Sequence, residues 1–239
     1  MALLFLYALG VYVLTLPPTV VGGDSGEIVV AAWTLAVPHP PGYPLITLLG
    51  YVFSHLLFPF GEPAYRMGVM NALFGAGAVA ALQLAVREVT GSICAGTFAA
   101  ALYGFSPLVW QYATTPEVFA LNSLFTALIL LLTARFHTAA GIARKRSLAR
   151  QGVLTCALAL SNQHTIALLV LPTALWVLVS LGGVFSSADF RREIVVWAGL
   201  GVVGLAPYPL LALLSARFGD VIYSWGACPH PHGALPFHF

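Results

Sequence analysis

The chain has 239 residues, of which 59% are apolar and only 8% charged, and its mean hydropathy is +0.91. So few charges cannot cover the surface of a water-soluble domain, which excludes a soluble globule and leaves a multi-span, all-α membrane protein. The formal net charge of +2 selects no partner, and the basic cluster Arg144–Arg150 has no aromatic interleaving, so no nucleic-acid module is expected.

Hydropathy and its interruptions predict about seven spans. The first covers residues 2–16, short for roughly 30 Å of hydrocarbon. It lacks the basic start and small-residue cleavage site of a signal peptide and is expected to be retained. Residues 41–60 are apolar, but Pro41, Pro44, Pro59 and His55 suggest a helix lying in or dipping into the interface. The second span is placed at 65–86, the third at 93–109 and the fourth at 118–135. The fifth and sixth share 152–181, broken by the polar cluster S-N-Q-H-T, and the seventh is placed at 194–214. Cys94 and Cys156 fall in apolar runs and are expected to be buried thiols; with Cys228 they form no metal or redox spacing.

Seven spans with the N-terminus inside put eight of the ten basic residues on the cytosolic side, leaving Arg66 and Arg217 outside. Five of the eight acids, Asp24, Glu27, Glu62, Glu117 and Asp220, then face the outer compartment. Counting 41–60 as a span would move the run G-I-A-R-K-R-S-L-A-R outside, against the same rule.

The outer loops therefore carry the chemistry. The first holds G-G-D-S-G-E, with Asp24 and Glu27, then the hinge P-H-P-P-G-Y-P with His39 and Tyr43. The second holds Glu117, the third Asn162, Gln163 and His164, and the fourth Arg217. Ionisable groups at membrane depth are costly and point to function. Structural roles compete at each position. Asp24 suits a helix cap, and Glu117, after Pro116, suits the positive end of a helix. His39 fits a proline turn, and Asn162 to His164 fit a tight helix–helix turn. Gly75 and Gly77 suit close helix packing, and the Arg144–Arg150 cluster suits lipid headgroups. No phosphate-cradling loop, zinc motif or nucleophile elbow is present. A carboxylate beside a membrane-embedded apolar cavity remains, which suits a general base acting on a lipid-linked substrate. A transporter or lipid-binding protein would use the same face without chemistry, although the two halves show no internal repeat.

The stretches L-P-P-T-V-V-G-G-D-S-G-E, V-P-H-P-P-G-Y-P, W-Q-Y-A-T-T-P-E-V-F-A-L-N, L-A-L-S-N-Q-H-T and V-I-Y-S-W-G occur in one order over residues 14–226. In that order they resemble the transmembrane protein 260 family. The resemblance implies a GT-C-like transmembrane catalytic module over 1–226 with an interfacial helix in the first luminal loop. It also implies a multi-pass protein O-mannosyltransferase of the endoplasmic reticulum membrane. Mannose would pass from dolichyl phosphate mannose to Ser or Thr of IPT domains in plexin-type receptors, with no cofactor and no metal. Asp24 takes the place of the catalytic acid of the first luminal loop, and Glu27 orients the acceptor or tunes Asp24. His39, Tyr43, Arg66, Glu117, Asn162, Gln163, His164 and Arg217 are the expected substrate-binding residues, with Arg66 and His164 nearest the phosphate. Residues 227–239 depart from the family and are expected to be a disordered, atypical tail. The chain is thus expected to be an N-terminal portion carrying the aspartate, active or an inactive shortened isoform.

Overall fold

The computed structural model describes residues 2–57, 60–182 and 187–218, and among these every regular element is a helix. The expected tail, Asp220 and the V-I-Y-S-W-G stretch lie outside the described residues.

Helix α1 (Ala2–Leu14) has 13 residues, about 20 Å at the α-helical rise and short of the hydrocarbon thickness. Two short helices follow, α2 (Ser25–Thr34) and α3 (Pro44–Val52), the latter running on as a π turn over Phe53–Leu57. This second apolar stretch is too short to cross, as expected of an interfacial element. Helix α4 (Pro63–Thr90) opens on Pro63, whose fixed φ suits a first turn, and ends on Gly91 at φ 68°.

The expected third span is broken. Ser106 and Pro107 end α5 (Ile93–Gly104), because the ring before α6 (Pro107–Thr114) cannot continue the helix, and the two axes bend by 68°. Helix α7 (Phe119–Thr138) follows the expected fourth span. Helix α8 (Ile142–Asn162) starts earlier than hydropathy indicated, because its first turns absorb the basic cluster from Arg144 to Arg150. A 3₁₀ turn (His164–Ile166) at the S-N-Q-H-T break leads to α9 (Ala167–Gly182). The expected seventh span becomes α10 (Ser187–Leu205) and α11 (Pro207–Phe218).

Four stretches among the described residues, Pro63–Thr90, Phe119–Thr138, His164–Leu181 and Asp189–Arg217, are long and apolar enough to cross a membrane. Counting the bent α5–α6 pair as one span makes five. The difference from about seven lies in α1, which is short, and in α8, whose opening is basic. Charge sorts by helix direction as the sequence implied. Arg87 and Arg135 stand in the last turns of α4 and α7, while Glu62 and Glu117 precede the starts of those helices.

Helix α4 is the scaffold, packed against α1, α5, α6 and α7. Small residues let the backbones close: a Cβ on Gly75 would lie 2.6 Å from the Ala113 Cβ and 3.2 Å from the Tyr12 ring. Tyr12 is fully buried, and its hydroxyl donates to the Gly104 carbonyl at 2.6 Å, tying α1 to the end of α5. At the opposite end Arg150 on α8 grips the buried Glu193 of α10 with two bonds, at 2.9 and 2.6 Å. Cys94, expected inside, is exposed on α5, and Cys156 is half-buried.

Overpacking a close helix contact typically costs about 1–3 kcal/mol. Gly75→Leu is therefore expected to lower the thermal midpoint in detergent by several degrees. Gly10→Ala, where nothing lies within 4 Å, should leave it in place. Equal midpoints for the two variants would contradict the close α4–α6 packing.

Candidate functional site

The G-G-D-S-G-E motif sits at the start of α2. Asp24 occupies the cap position, yet its side chain makes no capping bond, so the helix does not consume this carboxylate. It is 63% exposed instead, beside a cleft of about 30 Å³ lined by Asp24, Ile28, Tyr43, Glu117, Val118, Phe119 and Gln163. One turn on, Glu27 projects from α2 toward the proline hinge. Its Oε1 accepts from the His39 main-chain N–H at 2.5 Å, and its Oε2 lies 2.8 Å from His39 Nδ1.

The turn places His39 for this. Its carbonyl accepts from the Gly42 N–H at 2.8 Å, Gly42 takes φ 92°, and the Pro40–Pro41 bond is cis. With Nδ1 facing Glu27, the other ring nitrogen looks inward, 3.1 Å from the Tyr43 hydroxyl and 3.9 Å from Asp24 Oδ2. Glu27 thereby sets both the tautomer and the orientation of the imidazole. Asp24, Glu27 and His39 bring one ligand-type atom each within 4.8 Å of one another, the set that could hold a cation. Both Glu27 oxygens already face His39 N–H groups.

Glu117 reaches the site from the other side. Helix α7 begins at Phe119, two residues after Glu117, with Val118 at the cap position. Its carboxyl lies against Gly23, where an added Cβ would fall 2.7 Å from Oε1, and it faces the main-chain N–H of Asp24. Gly23 also takes φ 80°, so two constraints fix glycine there. Burial first, then the neighbouring Asp24 charge, raises the Glu117 pKa above the carboxylate range, against the lowering effect of the Asp24 N–H. Tyr43 titrates high as well, from burial and then the charges of Asp24, Glu27 and Glu117.

Six expected site residues thus converge: Asp24, Glu27, His39, Tyr43, Glu117 and Gln163. Gln163 brings a buried Oε1 with no hydrogen-bond partner among the described residues. Asn162 is buried and donates to the Val118 carbonyl at 3.1 Å, behind the cleft. The others stand elsewhere. His164 is exposed, with Nε2 2.5 Å from the Tyr208 hydroxyl. Arg66 donates to the carbonyls of Gly61 and Ser54, each at 2.8 Å, and lies over the Trp33 ring. Arg217 is exposed in the last turn of α11. No basic side chain lines the cleft among the described residues.

Sequence reasoning missed one residue. Asn71, fully buried on α4, donates its amide to the carbonyls of Thr115 and Glu117 at 2.5 and 2.8 Å. The available signal was an amide inside the apolar run G-V-M-N-A-L-F-G-A-G.

Residues 24–183 match the model of the protein O-mannosyl-transferase TMEM260 N-terminal domain. The chain is 39% identical over 230 residues to the mouse protein named protein O-mannosyl-transferase TMEM260, covering 96% of this chain and 32% of that one. It is 34% identical over 240 residues to the Dictyostelium discoideum protein of the same name, covering 94% of this chain and 28% of that one. The chain therefore spans about a third of the length of these relatives, and no solved structure matches it. A family match over most of the chain, joined to two relatives that align with nearly all of it, places this protein in the TMEM260 family.

Proposed function

We propose that this chain carries the acid–base centre of a protein O-mannosyltransferase whose general base is Asp24. The observation that carries the reading is the Asp24 carboxylate, unused by its helix, open to the cleft and backed by the Glu27–His39 pair. The names of the relatives support the reaction class.

A Ser or Thr hydroxyl is a poor nucleophile until its proton is taken. Asp24 accepts that proton as the acceptor oxygen attacks the anomeric carbon of a mannose esterified to a lipid phosphate. The new C–O bond forms on the face opposite the breaking one, so the anomeric centre inverts. The electron pair of the broken bond leaves with the phosphate. The donor is dolichyl phosphate mannose, and the acceptors are Ser and Thr of IPT domains, met on the luminal side of the endoplasmic reticulum membrane. His39, held by Glu27, presents Nε2 to the Tyr43 hydroxyl on the Asp24 side of the site. Gln163 offers its amide to a sugar hydroxyl. Arg66, His164 and Arg217 stand outside the cleft, so the cations that hold the departing phosphate act from its rim or from other parts of the protein. The reaction is read as metal-free, with the cationic groups that hold the lipid phosphate in place of an ion.

The test uses this chain joined to the C-terminal part its relatives possess, in cells lacking the endogenous enzyme, with mannose on an IPT domain as readout. Removing a general base costs about 10²- to 10⁴-fold, so Asp24→Asn should abolish detectable transfer while lipid-donor binding persists. Transfer undiminished in Asp24→Asn would remove it from the role of base. Flux of a lipid or solute without any glycosylation would favour a transporter. A second measurement concerns metal: transfer should continue in excess EDTA. Loss in EDTA, restored by a divalent cation, would instead put an ion on Asp24, Glu27 and His39.

A further inference from the structure

The segment 115–118 between α6 and α7 is buried throughout, and a buried loop must find partners for its carbonyls. Burial keeps water from supplying them. Two side-chain amides supply them instead. Asn71 gives its Nδ2 to Thr115 and Glu117, and Asn162 gives its Nδ2 to Val118. Asn71 lies on α4, the longest helix among the described residues, which packs against α1, α2, α5, α6 and α7. Its Oδ1 has no hydrogen-bond partner among the described residues. The amide leaves its acceptor unsatisfied, and what it contributes are its N–H groups.

These bonds continue into the site. They fix the main chain at Glu117; the Glu117 carboxyl packs on Gly23, the residue before Asp24, and faces the Asp24 N–H. We infer that Asn71 is a positioning residue for Asp24, acting through Glu117, and that it governs turnover and not donor affinity. The inference rests on the transferase reading. Three links join a rigid span to the proton acceptor: amide to loop carbonyl, loop to carboxyl, carboxyl to the Asp24 main chain. A displacement of about 1 Å in a reacting group can cost on the order of 10²-fold in rate.

The experiment uses the same extended protein with Asn71→Leu, which keeps the branched outline of four side-chain heavy atoms and removes the donors. Asn71→Asp, closer still in shape, serves if the leucine variant fails to insert. Two readouts are taken together. One is kcat and KM for the lipid-linked donor. The other is the rate at which a carbodiimide and an amine label the Glu117 carboxyl, followed by mass spectrometry. Asn71→Leu is expected to lower kcat about 10- to 100-fold and leave KM within about twofold. Labelling of Glu117 should rise severalfold, and a Glu117→Gln background should absorb most of the loss, since residues acting in series are not additive. Unchanged kcat and labelling in a correctly inserted variant would overturn the inference. So would losses that simply multiply in the double variant, which would mark Asn71 as structural support only. A parent protein that transfers no mannose would overturn the transferase reading and the positioning role with it. Labelling that still rose in Asn71→Leu would separate the two failures, since Asn71 would hold Glu117 in place in a protein that is not a transferase.

Discussion

Glu117 is a carboxyl group only 9% exposed, and a main-chain N–H of the first outer loop reaches it. A carboxyl in that setting must be hydrogen-bonded, or its burial costs several kcal/mol. The outer end of the bundle is arranged to meet this demand. Glycine at position 23 lets the loop approach, α2 then starts one residue after Asp24, and the Asp24 side chain is left facing the cleft. Charge repulsion between the two carboxyls is the cost of this approach, and it shows in the raised pKa of Glu117. Glu27 stays out of the conflict because His39 takes both its oxygens.

The span helices supply the rigidity that such an arrangement requires. Helix α4 packs tightly on α1 and α6 through residues without bulk, so its axis has little freedom to shift. The 68° bend between α5 and α6 carries the chain sideways and delivers segment 115–118 to the cleft. A straight third span would have carried it away from the first loop. Pro107 therefore shapes the site from a distance, by ending one helix and opening another.

Much of this was legible in the sequence, for identifiable reasons. Apolar length and the sorting of arginines gave the membrane class and the common side of Asp24, Glu27 and Glu117, since both are compositional properties. The H-P-P-G-Y-P hinge pointed to His39 because proline and glycine restrict the backbone locally. Contacts between distant segments were not legible. Nothing near Arg66 in sequence says that the Gly61 and Ser54 carbonyls will take its guanidinium. Nor does the run around Asn71 reveal that a loop more than forty residues away needs its amide. The break at Ser106–Pro107 was visible, but hydropathy averaged over it and joined two helices into one span.

The absence of basic side chains from the cleft lining among the described residues has a further consequence for the proposed reaction. While mannose is attached, the donor phosphate is a diester with a single negative charge. Once the sugar has left, the lipid phosphate is a monoester and gains a second charge near neutral pH. Like charges across a low-dielectric cleft repel far more strongly than in water. In the proposed reaction Asp24 takes the acceptor proton as that second charge appears, so the step removes one negative charge from the cleft while it adds one to the lipid phosphate.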